Sequence, residues 1–234
     1  MPFRVVLGRH PKDSVAMQPE KSSIRIIAGT LRGRRLTVVV NDELRPTPQR
    51  VRESFFSILG NAIPGRPFID VFAGTGVVGI EAISRGATLA TFLEKDPKSA
   101  ADILKYLREF EVFDKGLVLR TDVYRWAERW IPPLDRPVNL FLSPPFKDFD
   151  DRMPEFIKLV ELLWDKLPDE SVMTIQGENE FPIDRIPEIE AYDYRKYGRN
   201  LLLIRVKGEA NGTQGQSDGG DPEGIDADDT QSRD

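Results

Sequence analysis

The stretch FIDVFAGTGVVGIEAI, Phe68 to Ile83, constrains the fold more than any other: an apolar run breaks at Gly74, Gly76 and Gly79 and resumes as a helix-length apolar segment. A strand that ends in a glycine loop and continues as a helix is the opening of a βαβ unit, and such units build parallel sheets. The alternation then persists. "LATFLEKD", "GLVLRTD" and "VNLFLSPP" read as further strands, with "PKSAADILKYLREF", "VYRWAERW" and "FIKLVELLWDKL" as the helices that follow each strand in turn. Short apolar strands separated by helices predict an α/β, Rossmann-like fold: a mostly parallel seven-stranded sheet with helices on both faces. The runs "SVMTIQG" and "NLLLIRV" come last with no helix of that kind between them, which an antiparallel hairpin at one edge accommodates.

Upstream, "SIRIIAG" and "RRLTVVV" form a hairpin pattern joined by "TLRG", and "TPQRVRESFFSIL" reads as a helix with Thr47 as N-cap, Pro48 in its first turn and an apolar stripe of Val51, Phe55, Ile58 and Leu59. This divides the chain into an extension over residues 1–23, expected to be flexible, a hairpin-and-helix module over 24–64, a cofactor-binding domain over 65–207 and an acidic tail over 208–234, expected to be disordered. Charge sharpens the division. The 234-residue chain carries a net −5, yet the tail alone carries −7 and residues 1–52 carry +7. This basic N-terminal module points to nucleic acid, with Arg25, Arg32, Arg34, Arg35, Arg45, Arg50 and Arg52 as candidate phosphate contacts, and with shaping of the cofactor pocket as the alternative role of Arg45, Arg50 and Arg52. Cysteine is absent and histidine occurs once, which argues against disulfides, thiolate metal sites and imidazole acid–base catalysis. No metal is expected, no run is long and apolar enough for a membrane span, and the start lacks a secretory h-region, so a cytoplasmic protein is expected.

The glycines admit two cofactor classes. Gly74, Gly76 and Gly79 match GxGxxG, and Glu94 follows Gly74 by twenty residues, the distance at which a carboxylate holds a ribose hydroxyl. A nicotinamide-dependent oxidoreductase therefore competes with a methyl-transfer enzyme. Asp70 favours the second, because a carboxylate before the loop opposes a pyrophosphate but suits the ammonium of S-adenosyl-L-methionine. The strand ends carry Asp70, Glu94, Asp122 and Ser143, and in an open α/β sheet such residues line one crevice.

The fourth strand ends in Ser143-Pro144-Pro145-Phe146. A nucleobase amino group is a weak nucleophile because its lone pair is delocalised into the ring. The Ser143 hydroxyl and the Pro144 carbonyl can accept its two N–H groups and localise that pair, while Phe146 offers a face for the base to stack on. Such transfer needs alignment, with neither a metal nor a general base.

The motifs "RIIAGTLRGRRL", "RPTPQRVRESFFSIL", "DVFAGTGVVGIEAISRGA", "FLEKD", "SPPF" and "KYGRNLLL" resemble the small-subunit rRNA guanine-N2 methyltransferases of the RsmD type, within the class I S-adenosylmethionine-dependent methyltransferases. The resemblance runs from about Ile24 to Val206. It implies methylation of a guanine N2 in 16S rRNA within a partly assembled small-subunit particle. By position it places Asp70, Ala73, Gly74, Gly76 and Glu94 around the cofactor, with Phe72, Thr75 and Lys95 beside them, Asp122 and Val123 near the adenine, and Ser143 to Phe146 on the guanine. A monomer is expected. Two departures stand out: the family usually has aspartate where this chain has Ser143, and commonly an asparagine near Tyr106. A variant reading is therefore an RNA-binding assembly factor of the same fold with weakened catalysis.

Overall fold

The computed structural model describes residues 20–40, 44–133, 136–179 and 181–208, apart from the side chains of Phe146 and Asp150. Strands β1 (Glu20–Arg25) and β2 (Arg35–Val40) form an antiparallel hairpin, followed by helix α1 (Gln49–Leu59). The main body runs β3 (Phe68–Asp70), α2 (Val77–Ser84), β4 (Ala90–Leu93), α3 (Pro97–Glu109), β5 (Gly116–Leu119), α4 (Val123–Arg129), β6 (Asn139–Leu142), α5 (Phe146–Asp151), α6 (Met153–Lys166), β7 (Val172–Glu178), β8 (Asp193–Tyr197) and β9 (Asn200–Val206). Its seven strands lie in the order β5-β4-β3-β6-β7-β9-β8. The first five are parallel, and β9 runs antiparallel between β7 and the edge strand β8.

Both faces of the sheet are covered, and the pleat sorts its residues with period two. Phe68, Phe92, Phe141, Leu202 and Ile204 turn toward one apolar cluster, whereas Ile69, Leu93, Leu140, Leu142, Leu201 and Leu203 turn toward the other. The first cluster also holds Ile24, Leu36, Val51, Phe55 and Phe56, so the hairpin and α1 share a core with α2 and α3. Polar ties reinforce this packing. Glu81, fully buried in α2, accepts hydrogen bonds from the backbone N–H groups of Ile27 (2.9 Å) and Ala28 (3.1 Å) and from Arg85 Nε (3.0 Å). Tyr106 on α3 donates its hydroxyl to the Thr37 carbonyl (2.7 Å) and accepts the Thr37 N–H (2.8 Å).

Several details depart from the sequence reading. The hairpin begins at Glu20, inside the expected extension over 1–23, while residues 1–19 and the acidic tail from 209 lie outside the described residues. Thr47 does not cap α1: Pro48 takes the N-cap position, and the buried Thr47 hydroxyl instead donates to Gln176 Oε1 on β7 (2.8 Å). Ile58 is exposed, and Phe56 and Arg52 are buried in its place, because α1 is sandwiched between the hairpin and the sheet rather than resting on one surface.

Candidate functional site

The parallel strands bring their carboxyl ends to one edge, and the glycine loop turns there. Gly74 and Gly76 adopt positive φ, +51° and +72°, a region that favours glycine. The third glycine has a different task, since a Cβ at Gly79 would overlap the Phe92 ring; its absence lets α2 lie close on β4. The segment after β2 crosses this edge: Leu44 lies against Gly74, and Thr47 is anchored to Gln176.

Asp70 closes β3 and is 1% exposed, with the Gly79 N–H (3.1 Å) donating to its Oδ2. Burial pushes its carboxyl up to about 7 against the pull of that N–H, and the nearby Glu94 charge adds to the rise. A buried carboxylate with one amide donor and, among the described residues, no cation beside it is suited to receive a cation. Glu94, just beyond β4, accepts the Gly74 N–H (2.8 Å) on Oε2 and the Asp96 N–H (2.8 Å) on Oε1. It thereby pins the glycine loop, and each oxygen keeps a lone pair for a ribose hydroxyl. Burial raises its carboxyl as well, opposed by those two amides.

Asp122, expected near the adenine, is engaged by contacts within the protein. Its Oδ1 caps α4 by accepting the N–H groups of Tyr124 (3.0 Å) and Arg125 (3.3 Å), and its Oδ2 faces Arg152 Nη1 at 3.6 Å. Arg152 also lies over the Tyr124 ring (3.8 Å), and the Tyr124 hydroxyl donates to the buried Asp148 (2.8 Å). These contacts tie the start of α4 to α5 and to Arg152 just after it. Phe72 packs edge-on to Tyr124 with ring centres 6.2 Å apart. Ala73, Thr75 and Val123 are buried around the loop, whereas Lys95 is exposed.

Ser143, Pro144 and Pro145 continue directly from β6, and α5 starts at Phe146 with Pro145 as its N-cap. Ser143 is half-buried, and its hydroxyl makes no hydrogen bond among the described residues. The side chain of Phe146 lies outside the described atoms. One step beyond the Leu142↔Ile175 pair, Ser143 stands level with Gln176, which ties Thr47 and Asn200 together across the crevice floor. Gln176 escaped the sequence reading and Thr47 was read only as a helix cap; the signal for Gln176 was a lone amide closing the apolar run "SVMTIQ".

Of the seven candidate RNA-contacting arginines, Arg25, Arg32, Arg34, Arg35, Arg45 and Arg50 are exposed. Arg52 is the exception and is corrected here: it is 1% exposed and donates to the carbonyls of Thr47 (2.7 Å) and Arg25 (2.9 Å), so it holds the module together from inside. Among the described residues no cluster of His, Cys, Asp and Glu could hold a metal ion, and no helix is long and apolar enough to cross a membrane.

The family described as Conserved hypothetical protein 95 matches residues 24–206. Ribosomal RNA small subunit methyltransferase D of Escherichia coli K12 is 32% identical over 197 residues, which cover 83% of this chain and 93% of that protein. Its namesake in Buchnera aphidicola from Acyrthosiphon pisum is 34% identical over 128 residues, covering 54% of this chain and 65% of that protein. The solved structure of E. coli yhhF superposes with a TM-score of 0.65 at 30% identity, covering 80% of this chain and all of that one. The T. thermophilus 16S rRNA N2 methyltransferase RsmC in complex with AdoMet and guanosine shares the fold, with a TM-score of 0.62 at 18% identity and coverage of 81% of this chain and 50% of that one. These relationships set aside the oxidoreductase reading of the glycine motif: the chain belongs to the Conserved hypothetical protein 95 family, the RsmD-type methyltransferases.

Proposed function

We propose that the protein transfers a methyl group from S-adenosyl-L-methionine to the exocyclic N2 of a guanine in 16S rRNA, acting in the cytoplasm as a monomer on a partly assembled small-subunit particle. The observation that carries this reading is the juxtaposition of Asp70 and Ser143-Pro144-Pro145 at the ends of β3 and β6, adjacent strands of one sheet.

When bound, S-adenosyl-L-methionine supplies an electrophilic methyl group. The residues here fit it: the buried Asp70 lacks a cation that an amino-acid ammonium provides, the loop from Ala73 to Gly76 admits a close backbone approach, and Glu94 retains acceptor capacity for ribose hydroxyls. On the acceptor side, the Ser143 Oγ and the Pro144 carbonyl receive the two N–H groups of the amino nitrogen and direct its lone pair. The proton released from nitrogen passes to solvent, so no protein base is needed. Phe146 stacks on the base, and the basic module binds the RNA backbone.

Serine in place of the usual aspartate makes a neutral acceptor, and charge-assisted hydrogen bonds are about twice as strong. The assay is transfer of labelled methyl to small-subunit particles lacking the modification. The reading expects turnover by the native chain and a rate increase in Ser143→Asp. Binding of RNA and S-adenosylhomocysteine without turnover, cured by Ser143→Asp, would support the assembly-factor alternative instead.

A further inference from the structure

We propose that the depression between the β1–β2 hairpin and the N-terminus of α1 seats one backbone phosphate of the RNA substrate; this deepens the RNA-binding reading above. The depression has a volume of about 280 Å³ and is lined by Ser23, Arg25, Arg35, Thr47, Pro48 and Gln49, with Arg52 at its base. Among the described residues no acidic and no aromatic side chain lines it, so they offer neither a partner for a cation nor a stacking face for a base.

Three features converge on an anion. First, Arg25 and Arg35 stand directly opposite each other in the hairpin register, and both are exposed. Like charges placed opposite across two strands are destabilising unless a counter-charge lies between them. Arg35 is held there by its Nη1, which donates to Ser23 Oγ (3.2 Å).

Second, Arg52 is buried, and its Nη1 and Nη2 bond only to the Thr47 and Arg25 carbonyls, while its Nε has no partner. Burial depresses its guanidinium, and the carboxylates that oppose this, Glu81 and Glu53, are engaged elsewhere. Glu81 serves the Ile27 and Ala28 amides and Arg85, and Glu53 accepts from Gln49 Nε2 (2.9 Å). Among the described residues the buried charge therefore lacks a direct counter-ion.

Third, α1 has no side-chain cap and no acidic residue in its first turn, which leaves the positive end of the helix facing the depression. The place is also apt. Thr47, in its wall, is bonded to Gln176, which stands level with Ser143 at the crevice. A phosphate seated here belongs to the strand that delivers the target nucleotide, and it fixes register without reading sequence.

The test uses the full chain with S-adenosylhomocysteine bound. Inorganic phosphate is titrated while amide NMR shifts are followed at Gln49 and Val51, in the native protein, in Arg25→Gln/Arg35→Gln and in Arg32→Gln as an exposed control outside the depression. The proposal expects saturable shifts in the native protein and the control and none in the double variant. In parallel, binding of a 16S rRNA fragment is measured against salt. The double variant should lose about one unit of the log–log slope, and about five-fold in affinity near physiological salt. Unchanged phosphate shifts or an unchanged salt slope in the double variant would overturn the proposal. Neither readout involves methyl transfer, so a protein that shows both effects but transfers no methyl would sink the catalytic reading and leave the phosphate seat standing.

Discussion

If Asp70 receives the ammonium of the cofactor, as proposed, cofactor binding should depend on pH in a way that can be worked out in advance. With its carboxyl at about 7, Asp70 is roughly half ionised at neutrality in the free protein. Only the ionised form attracts an ammonium. The ionised fraction is about 0.9 at pH 8 and about 0.1 at pH 6, so S-adenosylhomocysteine should bind roughly nine-fold more weakly at pH 6 than at pH 8. Folding stability should move the other way. Because the folded-state value lies above the unfolded one, the stability linked to this group is fully present below about pH 4 and is lost as pH rises through about 7. The cost at pH 8 is bounded by about three pKa units, on the order of 4 kcal/mol. Asp70→Asn should therefore stabilise the ligand-free protein at pH 8 by about 1–4 kcal/mol while weakening S-adenosylhomocysteine and flattening its pH profile. Calorimetric titration and thermal unfolding at pH 6, 7 and 8 read both effects. An affinity constant across that range, or the same slope in Asp70→Asn, would refute the reasoning.

Other residues yield sharp expectations. Glu81→Gln removes the charged acceptor shared by the Ile27 and Ala28 amides and Arg85, and should cost about 2–3 kcal/mol in thermal or urea unfolding. Gly79→Ala forces a methyl into the Phe92 ring and should cost about 1–3 kcal/mol, part of which Phe92→Leu recovers in a double-mutant cycle. Ser143→Ala should lower the methyl-transfer rate about 10–100-fold with S-adenosylhomocysteine affinity unchanged, as expected for a group that touches only the acceptor.

The sheet was legible because its signal is local and strong. Runs such as "FIDVF" and "VNLFL" are apolar at all positions but one, as suits strands buried on both faces. The edge strand β8 was not located: "DYRKY" is mostly charged, has no apolar alternation at its half-exposed edge, and reads as loop. The six-residue α5 left no periodic trace either. The places of Asp70, Glu94 and Ser143 at or just beyond strand ends were legible, but their hydrogen-bond partners were not. That Glu94 grips the Gly74 amide, or that Asp122 caps α4, depends on backbone geometry that spacing does not encode. Arg52 shows the limit most clearly. In sequence it is one arginine among seven, and only the packing of α1 beneath the hairpin separates this buried strut from its exposed neighbours. Glu81 did leave a signal, as the lone carboxylate in the otherwise apolar "VVGIEAI".

The central claim is a reaction at one atom of one base, and nucleoside mass mapping reads that atom. Small-subunit particles lacking the modification, incubated with the full chain and methyl-labelled S-adenosyl-L-methionine, should yield N2-methylguanosine at a single position of 16S rRNA, and Ser143→Ala should lose most of that signal. Label on any other base or ring position, or no label while S-adenosylhomocysteine still binds, would contradict the account.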